Sequence, residues 1–259
     1  MVRALRHRSW RISVQQLPEE RASARRKRIS VLSACLSVAL VGTARADELK
    51  PYQATYNGIW RGMTVAVSNL KLEHTGDTWT YSSRSEGRGL GRFVSDMAPN
   101  QTSVVHVTAT GVEPQSYQSG GSSSANASIE LKYDWQAHRV SGNYQGTPVD
   151  LPLTPEVQDD GSVQLALMVE LLAGRTPQSF QLIDKNSVRE YKFAREGEAT
   201  VKTPMGDVAT VVYRAQKTYS PRITRFWCAP DRGYIPMKVE QKKGDDVQWT
   251  LQIQGLTRN

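Results

Sequence analysis

Ile235-Pro236-Met237-Lys238-Val239-Glu240, the turn Lys243-Gly244-Asp245-Asp246, and then Val247-Gln248-Trp249-Thr250-Leu251-Gln252-Ile253-Gln254 read as one motif. Large apolar side chains alternate with polar ones on both sides of a Gly-Asp turn, and a period of two belongs to a strand with one buried and one solvated face. Gly supplies positive φ and Asp bonds its own backbone, so the two runs form a hairpin of an antiparallel sheet. Upstream, Ile129, Leu131, Tyr133 and Trp135 interleave in the same way with Glu130, Lys132 and Asp134. Weaker alternation runs through Tyr52 to Trp60, Met63 to Leu72, Thr78 to Glu86, Thr102 to Ala109, Val140 to Tyr144, Val188 to Val201, Val208 to Ala215 and Ile223 to Cys228. Turn residues separate these runs at Thr75-Gly76-Asp77, Gln145-Gly146 and Pro204-Met205-Gly206. So many short strands in succession must curl. The expected fold is mainly β, a single curved antiparallel sheet forming an open or half barrel.

One segment departs from this period. Asp159-Asp160-Gly161-Ser162 opens a run from Val163 to Ala173 that only Gln164 and Glu170 interrupt, and Gly174 closes it. Ser162 or Asp160 suits the first turn and Gly174 the left-handed position after the last, which predicts a helix over about 162–173. A helix apolar on nearly every side must be covered on most of them, so it is expected in the concave face of the sheet. Leu165, Met168 and Leu172 on this helix, with Trp135, Trp227 and Trp249 on the apolar side of strands, either fill a core or line a ligand cavity. Burial alone does not separate the two. Two stretches fit neither period: Gly87 to Asp96, and Gln118 to Asn126, whose Gly and Ser content suits a solvated hairpin loop.

The 259 residues carry 33 Lys+Arg against 25 Asp+Glu, but the surplus is local. Residues 1–46 hold ten of the basic side chains and two of the acids, leaving 23 of each sign in residues 47–259. A nucleic-acid partner would need the surplus on the folded part, so none is expected. Within the basic segment, Arg25-Arg26-Lys27-Arg28 precedes the apolar run Ile29 to Val41 and the triplet Ala44-Arg45-Ala46. These are the parts of a secretory signal peptide with cleavage after Ala46, and the run falls short of the about 20 residues that span a bilayer. Two other readings of this segment remain. Leu32-Ser33-Ala34-Cys35 resembles a lipoprotein signal with Cys35 acylated, although little apolar sequence precedes it, and Arg25-Arg26 offers a twin-arginine pair in a poor context. Export places the chain in the periplasm of a Gram-negative type envelope. If Cys35 leaves with the signal, Cys228 has no partner for an internal disulfide, and a packed core must hold residues 47–259 together.

Chemistry-bearing motifs are sparse. His74, His106 and His138 stand far apart, Cys228 is alone, and no ligand spacing for a metal emerges. No nucleophile elbow, dinucleotide fingerprint or phosphate loop occurs, and the pairs Asp159-Asp160 and Asp245-Asp246 sit in turns or caps. The expectation is therefore a chain without catalytic residues, cofactor or metal.

Several strings together resemble a bacterial exported family, domain of unknown function 3108. They are Tyr56-Asn57-Gly58-Ile59-Trp60-Arg61-Gly62, Tyr133-Asp134-Trp135 with Val140-Ser141-Gly142, Gln164 to Leu172 with Ala173-Gly174-Arg175, Thr203-Pro204-Met205-Gly206, and Trp227 to Glu240. The resemblance implies a periplasmic single-domain β protein without assigned activity. The curved sheet and apolar helix also look like the open-barrel carriers of periplasmic lipoproteins, by architecture only. From this comes the expectation of a non-catalytic envelope protein holding an apolar or lipid-like ligand between helix and sheet. Two other readings stay open: an envelope assembly or protein-interaction module with a filled core, and a hydrolase whose site is assembled only by the fold.

Overall fold

The computed structural model describes residues 48–89, 100–120 and 128–258. The signal-peptide parts, including Ala44, Ala46 and Cys35, lie outside the described residues, as do 90–99 and 121–127 of the two irregular stretches.

The chain folds as two antiparallel meanders joined through the interior. The first contains β1 (Tyr52–Trp60), β2 (Met63–Thr75), β3 (Thr78–Gly87), β4 (Asn100–Thr108), β5 (Gly111–Gly120), β6 (Ile129–Asp134), β7 (Arg139–Tyr144) and β8 (Thr147–Pro152). A connection holding β9 (Val157–Gln158) and α1 (Ser162–Leu172) leads to the second, with β10 (Ser179–Asp184), β11 (Ser187–Thr203), β12 (Gly206–Lys217), β13 (Arg222–Ala229), β14 (Ile235–Lys243) and β15 (Asp246–Arg258). β15 pairs with β1, so all of them belong to one sheet in the order β8 to β1, then β15 to β9. Pairing is antiparallel except for the two-residue β9, which runs parallel to β10. The expected open barrel is thus present, as one sheet that is not closed by hydrogen bonds.

The turn residues do what their chemistry allows. Gln145 and Gly146 both take positive φ, 52° and 84°, the pairing a tight hairpin turn requires. Bulges interrupt the ladders, for instance between Val104 and Val105 against β5 and between Thr55 and Tyr56 against β15, and each bends the sheet further.

Alternation aims Tyr52, Tyr56, Leu72, Tyr81, Val105 and Met237 inward, where they pack with Leu165, Leu167, Met168 and Leu171 of α1. Small polar residues share that inner face: Ser68, Ser83, Ser103 and Ser119 are all buried. They make room for the helix at one level and for open space at another. A second apolar group, with Leu131, Tyr133 and Val140 from the first meander, Val157 of β9 and Ile183 of β10, packs the two ends of the sheet against each other. Side chains close that seam. β8 adds Pro148 and Pro152, four residues apart on its edge, and a proline has no N–H with which to recruit another strand.

Candidate functional site

Between the first turn of α1 and the sheet lies a cavity of about 370 Å³. Its floor is Tyr56, Leu70, Tyr81 and Gln164, its apolar walls include Leu182, Phe193, Phe226, Val239, Leu251 and Trp249, and Ser83, Ser85, Gln101, Thr224 and Gln241 add polar groups. Both meanders contribute, so no short stretch of chain contains the site. No Lys or Arg lines it among the described residues, and one carboxylate does, Asp160.

The helix start positions this carboxylate, and its neighbour builds the helix start. Asp159, fully buried, accepts from the backbone N–H groups of Gly161 (2.9 Å) and Ser162 (2.7 Å) with Oδ1. Its Oδ2 accepts from Ser103 Oγ at 3.1 Å and Tyr133 Oη at 3.3 Å, while Asp159 N donates to Ser162 Oγ at 2.8 Å. The cap expected from Ser162 or Asp160 is therefore made by Asp159: Gly161 stands at the N-cap without a side-chain bond. Asp160 is left to point into the cavity. It is accessible there yet enclosed by protein, and desolvation followed by repulsion from Asp184 pushes its pKa up to about 6. Desolvation also lifts Asp159 to about 6, against the pull of its donors.

Tyr56 and Tyr81 of the floor, with Tyr52 buried beside them, form a tyrosine layer held neutral. Burial raises Tyr52, Tyr56 and Tyr81, and Tyr56 Oη donates to the Pro236 carbonyl at 2.8 Å. Tyr81 Oη donates to Gln164 Oε1 at 3.3 Å, while Gln164 Nε2 and Tyr52 Oη are buried without a hydrogen-bond partner in range. Gln164 thus presents a donor beside the cavity that meets the Tyr52 hydroxyl without a hydrogen bond of ordinary geometry, leaving it poorly satisfied.

Of the residues singled out in the sequence, Trp249 lines this cavity. Leu165 and Met168 are sealed in the packed core, 0% and 2% exposed. Leu172 borders a separate, more open groove with His74, Trp79 and Val169. Trp135 packs against the seam group and donates its Nε1–H to the Pro114 carbonyl at 2.7 Å. Trp227 has the Lys238 ammonium 4.4 Å from its ring centroid. Those five do not line the cavity: Leu165 and Met168 pack at another level of the interior, and Leu172 and Trp135 lie at the groove and the seam. Trp227, paired with Lys238, alternates with the cavity-lining Phe226 and so faces away, contrary to the expectation that it stands on the apolar side. Asp160, Gln164 and the serines carry the polarity of the site and were not singled out. The one available signal was Gln164, a lone polar residue in an apolar helix.

Cys228 is fully buried and burial pushes its thiol up, which leaves it unreactive. His74 stacks on Trp79 with ring centroids 4.0 Å apart. Among the described residues no three His, Cys, Asp or Glu side chains gather in a metal-holding group, and no helix is long and apolar enough to cross a membrane.

Comparison with known proteins fits the sheet. A crystal structure from Brucella abortus, titled a beta-barrel-like protein of domain of unknown function DUF1849, superposes with a TM-score of 0.52 at 13% identity, covering 82% of this chain and 99% of that one. Such a likeness speaks for the fold alone. No curated protein matches the chain. The model of the family described as protein of unknown function (DUF3108) matches residues 51–248, a span that runs from the start of β1 through α1 and most of the cavity lining into β15. The chain belongs to the DUF3108 family.

Proposed function

We propose that this chain is a non-catalytic protein of the cell envelope that holds an amphipathic, lipid-like molecule with an uncharged polar end. The observation that carries the reading is the cavity of about 370 Å³, within the roughly 300–1,000 Å³ typical of small-ligand sites, with aromatic and aliphatic walls and a few convergent polar groups. Its electrostatics select the ligand class. A bound carboxylate or phosphate would face Asp160 with no lining cation to offset the repulsion, whereas a hydroxyl, ester or amide would meet Gln164, Gln101, Gln241 and the serine hydroxyls. A filled-core interaction module fits the packed helix but leaves the opening above it unexplained.

The test is equilibrium binding of a fluorescent monoacylglycerol and of the fatty acid with the same chain. The neutral ligand is expected to bind one to one at pH 7.5 and the fatty acid more weakly, the difference shrinking as the pH falls through about 6 and Asp160 is protonated. Gln164→Leu should weaken the neutral ligand about tenfold, the scale of one hydrogen bond to a buried donor. Equal affinity for both ligands at every pH would remove the charge argument. No binding of either would remove the reading.

The same proposal places the protein in the periplasm, carried there by the segment that ends at Ala44-Arg45-Ala46. The exported form should begin at Asp47 and carry no lipid; an intact mass showing diacylglycerol on Cys35 would contradict this.

A further inference from the structure

Trp60 (37%), Met63 (48%), Val247 (43%) and Tyr219, fully exposed, are the exposed large hydrophobic residues among those described. They are not scattered. Trp60 and Met63 flank the β1–β2 turn, Val247 follows the β14–β15 turn, and Tyr219 lies in the β12–β13 turn. Because β2, β1, β15, β14, β13 and β12 are consecutive in the sheet, these are three consecutive hairpin tips on one end of it, an arc of about 25 Å at the usual strand spacing. The cavity opens towards this same end. From its floor at Tyr56 and Pro236 its walls rise through Ser85, Thr224, Gln241 and Trp249, each closer to these turns than the floor residues of its own or the neighbouring strand.

Charge divides along the same axis. The turns of the mouth end bring Arg61, Arg88, Lys185, Arg222, Lys242 and Lys243 against Glu86, Asp245 and Asp246; Lys217 there is paired with Asp184, and Lys242 is 3.7 Å from Glu240. The opposite end carries Glu48, Asp77, Glu113, Asp134, Glu156, Asp207 and Asp231 against Lys50, Lys202, Arg232 and Arg258, while Lys71, Arg139 and Arg175 there are paired with Glu73, Asp150 and Glu170. A neutral domain with one basic, aromatic end and one acidic end is oriented by a negative surface. Arg61 lies over the Trp60 ring at 4.6 Å, an arrangement that lets an indole sit at headgroup depth with a cation beside it.

We infer that the β1–β2, β14–β15 and β12–β13 tips form a docking rim that sets the mouth of the cavity on an anionic lipid bilayer. The apolar tips enter the headgroup boundary, and the basic residues draw the rim to the surface charge. The inference stands on the rim and not on what fills the cavity, so either can fail alone.

The test uses the full chain with Cys35→Ser, which leaves the buried Cys228 as the one native thiol, and an environment-sensitive fluorophore on Met63→Cys or, at the opposite end, on Asp77→Cys. With phosphatidylglycerol-containing vesicles and no added ligand, the Met63→Cys label should shift to the blue while the Asp77→Cys label stays unchanged. Vesicles of phosphatidylcholine alone should give a far smaller shift, and raising the salt should weaken it several-fold. Combining Arg61→Glu, Arg222→Glu and Lys243→Glu should weaken the response about tenfold or more, since each reversal turns attraction to the surface into repulsion. Sedimentation with vesicles without a shift at position 63 would mean attachment through another part, such as the basic residues before Ile29, and would overturn the inference. So would equal shifts at both positions, indifference to charge reversal, or a shift at position 63 that needs only a higher protein concentration and therefore reports a second copy.

Discussion

Asp159 and Asp160 are adjacent and chemically identical, and the fold gives them different work. Asp159 satisfies two backbone donors of the helix start and two hydroxyls from β4 and β6, so Asp159→Ala should cost about 2–4 kcal/mol in urea unfolding, the sum expected for a lost cap and buried donors left unpaired. Both carboxyls have folded-state pKa values near 6 against 3.8 for the unconstrained group. The folded chain therefore holds these protons more tightly than the unfolded chain between about pH 4 and pH 6, and stability falls as the pH rises through that window. Asp160→Asn should flatten part of this decline and stabilise the protein at pH 7 by on the order of 1 kcal/mol, a value already discounted for solvent in the cavity. An unchanged pH profile in the Asn variant would contradict the placement of Asp160. Met168 makes the complementary case: as a sealed core side chain, Met168→Ala should lose about 2–5 kcal/mol while monoacylglycerol affinity stays as it was.

Among the elements, the close approach of β6 and β7 is the sharpest constraint. A Cβ added to Gly142, at φ 151°, would lie 1.9 Å from the Glu130 carbonyl oxygen, so neither backbone can keep its place. Gly142→Ala should cost about 3 kcal/mol or more, seen as a lower thermal midpoint, because backbone and not a flexible side chain is what it strikes. The strands with clean alternation, β6, β14 and much of β15, were legible in the sequence, as was α1 from its unbroken apolar run and Gly174. β5, β8 and β10 were not. Pro114 and a bulge break the period of β5, β8 has prolines at two of its six positions, and in β10 Leu182 and Ile183 are both buried because one serves the main core and the other the seam. The cavity was illegible for a related reason: Ser83, Ser85 and Gln101 read as solvent-facing residues, and only the pairing of β2, β3 and β4 turns them inward.

At the scale of the molecule, two meanders share one sheet through β1 and β15, the helix fills one level of the interior, and small polar residues leave the next level open towards the basic end. The proposed function requires that open level to be a binding site. Ala215 lines it with a buried methyl group and has space in front of it, so Ala215→Phe places a ring in the cavity without displacing the helix. The decisive measurement is the affinity of the fluorescent monoacylglycerol for the native protein and for Ala215→Phe, with the thermal midpoint of each taken in parallel. Binding at least tenfold weaker in a variant whose midpoint is unchanged or higher is the predicted result; equal binding by the two proteins, or none by the native one, would contradict the account.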